Sequence, residues 1–351
     1  MTTIDRTISD IGDLDLRLMA EAQGRLDNLT KPQGSLGRLE ELAKLVVGIT
    51  KNKNPNFKNK VIFTLASDHG VVEEGVSAFP QEVTPQMVYN FINRGAAINV
   101  LAKHVEARVV IVDSGIASDL KPHQDLIVKK AGYGTKNMTK GSAMTKQEAV
   151  KAIENGIEVF SDEFKKGIDI IGTGDMGIGN TTASSAITSI ITGSSVEDIT
   201  GRGTGIDDKI YINKIKVIKK ALEANKPDPN DPIDVLAKVG GFEIAGLCGI
   251  ILAASAGRIP VVIDGFISSA AALIAYQLAP KTKNYMIAAH LSQEQGHKII
   301  LNHIGLKPLL DLSLRLGEGT GAALGIGLVE AGIKILAEMA TFKTAAVSEK
   351  K

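Results

Sequence analysis

The chain has 351 residues, 44% of them hydrophobic, enough to bury a sizeable core in one large domain or in one large and one small. Basic and acidic residues nearly balance at a net charge of +1, so no broad field steers nucleic acid or an anionic membrane. Aromatics make up 4% and tryptophan is absent, which argues against stacking platforms for single strands, and the lone Cys248 excludes an internal disulfide or a cysteine-built zinc site.

The first eighteen residues, MTTIDRTISDIGDLDLRL, carry charges throughout and no apolar h-region, so they are not read as a secretory signal. With one thiol in the chain, the reducing cytoplasm is the expected compartment. Residues 1–47 read as helices. Leu36, Leu39, Leu42 and Val46 fall at helical spacing within 35–47. The polar stretch 51–60 reads as a linker. Short β-branched runs then alternate with Ala/Leu-rich helical patterns. The runs 61–66 (VIFTLA), 108–113 (RVVIVD), 168–171 (IDII), 259–264 (IPVVID) and 285–288 (YMIA) are expected to be buried parallel strands. The most apolar stretch, 244–256, is shorter than the roughly 18 residues of a membrane span and suits a buried helix. Residues 305–341 return to helix, and the tail 344–351 is expected to fray. This order predicts an α/β fold, a parallel sheet flanked by helices over 45–305, with 1–44 and 306–351 forming a smaller helical unit.

Ligands of such sheets sit beyond the carboxyl ends of the strands, so the segments that follow strands are the first places to look for chemistry. The first, Ser67-Asp68-His69-Gly70, is compatible with a strand-to-helix turn capped by its aspartate. The second, 172–182 (GTGDMGIGNTT), contains G-x-G-x-x-G. A dinucleotide-dependent oxidoreductase is therefore weighed, but no strand ending in Asp or Glu follows the next helix. Glycines there more generally let backbone N–H groups approach a phosphate at a helix N-terminus. The third, 201–205 (GRGTG), runs into a helix with Lys209, Lys214 and Lys216. Threonine hydroxyls, backbone N–H groups and a nearby lysine make a phosphate cradle, and a flexible turn before a solvated basic helix is the plainer alternative. The fourth, 315–323 (RLGEGTGAA), sets one carboxylate between two glycines. Partly desolvated, Glu318 would serve as a general base; a surface glutamate beside a C-cap glycine is the alternative. The six histidines are scattered, His290 and His297 show no carboxylate partner set, and neither a metal site, a Walker A loop nor a nucleophile elbow is found.

Taken together, these segments resemble the nicotinate-nucleotide–dimethylbenzimidazole phosphoribosyltransferase family of cobamide biosynthesis. The resemblance rests on LTKPQGSLGRLEELA (29–43), SDHGVVEEGVSAFPQEVTPQMVYNF (67–91), RGAAINVLAKH (94–104), YGTKNMTKGSAMT (133–145), GTGDMGIGNTT (172–182), TGRGTGIDD (200–208), DVLAKVGGFEIAG (234–246), RIPVVIDGFISSAAAL (258–273), HLSQEQGH (290–297) and LRLGEGTGAA (314–323), in family order over nearly the whole chain. It implies a Rossmann-like large domain, a small helical domain from both termini, no cofactor, and a dimer. It also implies transfer of the phosphoribosyl group of nicotinate mononucleotide to a small aromatic base, with inversion at C1′ and release of nicotinate. By the same resemblance Glu318 is the base, with Asp175 beside it. The nucleotide phosphate falls to Gly177, Asn180, Thr181, Gly203, Thr204, Lys214 and Ser292, and the acceptor to Phe79, Met87 and Leu316.

Two departures stand out. Asp175 replaces a glutamate common in the family's G-E-M-G segment, one methylene shorter. Phe79 and Met87 make the acceptor wall more apolar than in some relatives, which leads us to expect a benzimidazole, a purine or a phenol as acceptor, and either a homodimer or a pairing with a paralogue. A non-catalytic subunit that only binds nucleotide is the other rival, and retention of Glu318 speaks against it.

Overall fold

In the computed structural model, residues 2–203 and 205–348 are described. The chain opens with three helices, α1 (Thr3–Ser9), α2 (Leu16–Asp27) and α3 (Arg38–Thr50). Strand β1 (Lys60–Ser67), helices α4 (Val83–Ile92) and α5 (Ala97–His104), and strands β2 (Ala107–Gly115) and β3 (Leu126–Val128) follow. Next come α6 (Lys146–Phe164), β4 (Ile170–Met176), α7 (Asn180–Thr192), α8 (Val196–Ile199), α9 (Asp208–Asn225), α10 (Pro232–Val239) and α11 (Phe242–Ala256). The last third holds β5 (Val261–Ile263), α12 (Phe266–Leu278), β6 (Met286–Ala288), α13 (Gln295–Ile304), α14 (Thr320–Glu338) and α15 (Phe342–Ala345).

The six strands form one parallel sheet in the order β3-β2-β1-β4-β5-β6. Between Val61 and Ala66, β1 is apolar but for Thr64, because both faces are covered. Val61, Phe63 and Leu65 pack with α6, α7, α11 and α12, whereas Ile62 and Ala66 pack with α3, α4, α5 and α14. A third, smaller cluster joins Leu18, Leu26, Ala43 and Val47 to Leu336 at the far end of α14. That order reverses direction between β1 and β4, so the crevice beyond Ser67 and Met176 is the topological switch point where such sheets take ligands.

Helix α14 is long and apolar enough to cross a membrane. It is a core helix here: Ala322, Ala323, Ile326 and Val329 are fully buried against the sheet. Helix α11 is buried from Phe242 to Ser255, as its composition suggests.

Several expectations need correction. The fourth strand does not stop at Ile171; it continues through Gly172, Thr173, Gly174 and Asp175 to Met176. Strand pairing with β1 on one side outweighs the low strand preference of glycine, and the first G-x-G of the supposed fingerprint is a strand rather than a turn. Helix α3 starts at Arg38, and residues 30–37 are turns. Strand β3, three residues long between polar flanks, gave no periodic signal. The stretch 305–319 has no helix and adds an isolated bridge, Leu310 to His290.

Candidate active site

Glu318 sits where α14 begins, beyond the ends of β1 and β4. Three successive residues, Gly317, Glu318 and Gly319, have positive φ of 83°, 64° and 99°. For glutamate that conformation is strained, and it persists only where surrounding bonds impose it. Here they do. The Glu318 N–H donates to the Asp175 carbonyl at 3.2 Å, and the Thr64 hydroxyl donates to the Glu318 carbonyl at 2.9 Å. Gly174 makes room for this: a Cβ there would lie 2.3 Å from the Glu318 carbonyl oxygen. The carboxylate accepts the N–H of Ile98, at the start of α5, at 3.2 Å. Glu318 is only 4% exposed. The surface-glutamate alternative is therefore rejected, and Gly319 precedes a helix rather than ending one. Burial raises the Glu318 carboxyl above the usual glutamate range; the Ile98 N–H opposes that rise, and the Asp264 charge adds to it.

Asp264, at the end of β5, holds the head of α14. Its two carboxylate oxygens accept from Gly319 N at 3.1 Å and Ala322 N at 3.0 Å. His290 lies beside it, Nε2 3.7 Å from Oδ1, so this histidine does have a carboxylate neighbour, contrary to the sequence expectation. His297 Nδ1 accepts the Ser292 N–H at 2.9 Å, and burial pushes its ring down to about 3, so it is neutral.

Asp175 is buried, and one oxygen accepts from the Asn180 amide at 3.0 Å. Burial first, then the charges of Asp264 and Glu243, push its carboxyl well above the usual range, the Asn180 bond pulling the other way and Glu318 adding to the rise. Glu243 lies beneath the glycine loop, bound to the Ser67 hydroxyl and to His69 Nε2 at 2.7 Å. Asp68 does not cap a helix, as the sequence suggested; its carboxylate accepts the Ala117 N–H at 2.8 Å.

Next to Asp175 opens a small cleft lined by Val76, Ser77, Gly177, Asn180, Thr181 and Lys214, with Gly203 and Arg202 at its other side. Helix α7 starts here, after Gly179 at φ 94°. Lys214 is the exception on a solvated helix: Lys209 and Lys216 are exposed, but Lys214 is 1% exposed, its Nζ 2.7 Å from the Thr181 hydroxyl. Burial pushes its ammonium down to about 8, with Glu294 opposing. The Gly203 N–H donates to Glu294 at 2.8 Å, so a side-chain carboxylate takes the position expected of a phosphate oxygen. Ser292 reaches the cleft only through Glu294, whose N–H donates to its hydroxyl at 3.3 Å. Thr204 lies outside the described residues.

Asn180 joins the cleft to Asp175, and Arg315 joins it to the glutamate segment, one guanidinium N–H donating to the Gly203 carbonyl at 3.1 Å. The structure thus gathers Glu318, Asp175, Gly177, Asn180, Thr181, Gly203 and Lys214. Of the residues expected at the acceptor, Met87 is half-buried on α4, and Phe79 and Leu316 are exposed on two separate loops. Sequence reasoning missed Thr64, Asp264, Glu294 and Arg315. The last three stand inside quoted motifs, and only the fold shows what they touch.

The phosphoribosyltransferase family model matches residues 11–347. The curated nicotinate-nucleotide–dimethylbenzimidazole phosphoribosyltransferase of Geobacter sulfurreducens is 56% identical over 349 residues, 99% of each chain. The protein of the same name from Desulforudis audaxviator is 58% identical over 351 residues, 100% of this chain and 99% of its own. Among solved structures, the enzyme of that name from Thermus thermophilus superposes with a TM-score of 0.91 at 41% identity, covering 96% of this chain and 100% of its own.

Proposed function

On the premise that the chain belongs to the nicotinate-nucleotide–dimethylbenzimidazole phosphoribosyltransferase family, we propose that Glu318 is the base that takes the proton from the incoming ring. The enzyme transfers the 5-phosphoribosyl group of nicotinate mononucleotide to 5,6-dimethylbenzimidazole in cobamide biosynthesis. One ring nitrogen attacks C1′ of the ribose. The bond from C1′ to the pyridinium nitrogen breaks, its electron pair stays on nicotinate, and the anomeric centre inverts. The other ring nitrogen gives up its proton to Glu318. The leaving group is already cationic, so its departure needs no protonation.

The observation that carries this reading is the fixed and buried carboxylate of Glu318 at the switch point, joined through Asp175 and Asn180 to a cleft holding a buried lysine. In that cleft the Lys214 ammonium, the Thr181 hydroxyl and the N–H groups at the head of α7 receive the phosphate. Gly203 joins them once Glu294 turns away, and Ser292 takes the site's edge. Asp175 acts through its bonds: its carboxyl fixes Asn180 and its carbonyl fixes Glu318. The negative charges of Asp264 and Glu243 favour the positive charge that develops on the ribose as the bond to nicotinate stretches.

The acceptor lies between Phe79, Met87 and Leu316. Their apolar character supports acceptance of purines or a phenol besides benzimidazole, the phenol attacking through its oxygen. The helical unit of the two termini, 1–44 with 306–351, belongs to the same proposal, supported by the small cluster around Leu26 and Leu336. The test is turnover with nicotinate mononucleotide across a panel of dimethylbenzimidazole, adenine and cresol, read by the mass of the ribotide. Reaction with dimethylbenzimidazole alone would end the broader acceptor reading. A chain that binds the nucleotide but releases no nicotinate with any ring would make it a non-catalytic subunit.

A further inference from the structure

The residues that line the phosphate cleft do not all come from the phosphate loops. Val76 and Ser77 belong to the irregular segment 75–82, the same segment that carries Phe79 of the acceptor wall. Two donor residues pin this segment at its ends. At its start, the Asn213 side-chain amide donates to the Glu74 carbonyl at 2.7 Å, and more weakly to the Gly75 carbonyl at 3.4 Å. At its end, the Ile178 N–H donates to the Thr84 hydroxyl at 3.1 Å, on the first turn of α4, the helix that carries Met87. Both donors are neighbours of phosphate residues: Asn213 precedes Lys214 on α9, and Ile178 follows Gly177. Between the pins, the Ser77 hydroxyl accepts the Phe79 N–H at 3.1 Å, so the residue that lines the cleft also sets the turn that presents Phe79. Glu74 is braced from behind, its carboxylate accepting from Asn137 at 2.8 Å and Thr139 at 2.9 Å.

We propose that Asn213 is a positioning residue that couples the two substrates: a phosphate on Lys214 steadies α9, and Asn213 passes that order to the segment bearing Phe79, so that the acceptor binds better once the donor is in place. Asn213 touches neither substrate. The inference rests on the reading of the cleft as the donor-phosphate site. Its logic is reciprocal, since each ligand must improve the other by the same factor.

The test uses D-ribose 5-phosphate, which has the donor's phosphate and no nicotinate to lose, with 5,6-dimethylbenzimidazole on the full chain. Calorimetry of the parent gives a dissociation constant for the ring that falls about fivefold or more when the sugar phosphate is saturating. In Asn213→Ala that ratio drops to about one, while the sugar phosphate alone binds as it does to the parent. In Asn213→Asp, which keeps the shape and loses the donor, the ratio also drops to about one. Thr84→Val, cutting the second pin, lowers the ratio independently. Parental coupling in Asn213→Ala, absence of coupling in the parent, or equal loss of both single-ligand affinities overturns the proposal. Lys214→Ala separates it from the underlying reading: if that variant binds ribose 5-phosphate as tightly as the parent, the phosphate assignment fails, whatever Asn213 does.

Discussion

To act as the proposed base, Glu318 must be desolvated enough to want a proton and fixed enough to meet one. Burial supplies the first condition and three backbone-directed bonds supply the second. Replacing it with glutamine leaves the shape and removes the acceptor of the proton. Single-turnover release of nicotinate should slow by about 10²–10⁴-fold, with donor affinity little changed. The pH profile follows from two groups. The Glu318 carboxyl is raised above the ordinary 4.5, so its basic form appears only as pH climbs past that higher value, and turnover rises along a limb displaced upward. Lys214 loses its charge above about 8, so the donor KM should climb there, and bound phosphate will shift that limb to higher pH. Steady-state kinetics from pH 5 to about 9.5 would show both limbs, the first mainly in turnover and the second mainly in donor KM. Glu318 is legible in the sequence because a charged residue between two glycines is conspicuous. Thr64 is not: it is one residue in an apolar strand, and its partner lies 254 positions away.

At the scale of elements, the readable part is the strands buried on both faces. The runs at 61–66 and 108–113 match β1 and β2, because short runs rich in β-branched and apolar residues suit strands covered on both faces. What misled was glycine. Gly172 and Gly174 look like punctuation, yet they are strand residues kept bare so that α14 and the glutamate segment can lie against β4. A Cβ on Gly172 would already touch Ala322 at 3.0 Å, and one on Gly174 would strike main chain. Gly174→Ala should therefore displace Glu318: we expect a stability loss of about 1–3 kcal/mol by denaturant titration, and turnover reduced more than donor binding. An alanine at Gly24, inside α2 with nothing within 4 Å, is the control: it should leave turnover unchanged and raise stability by up to about 1 kcal/mol.

Over the whole molecule, stability and chemistry are held in different places. Helices α6 and α11 meet backbone to backbone on the face of the sheet away from α14: a Cβ on Gly249 would lie 2.0 Å from the Ile153 carbonyl. Gly249→Ala should lower the thermal midpoint by a few degrees while the folded enzyme keeps its acceptor preference. Light scattering settles the assembly; a dimer gives twice the 37.1 kDa of one chain. The way Glu318 is fastened also bears on how the enzyme could be retargeted. Its anchors are main-chain groups and one strand hydroxyl, and none comes from Phe79, Met87 or Leu316. On the proposed assignment, the walls that would choose the ring can thus be exchanged without loosening the proposed base. A laboratory seeking a new lower ligand has two loops and one helix face to vary, and a fixed point to leave alone.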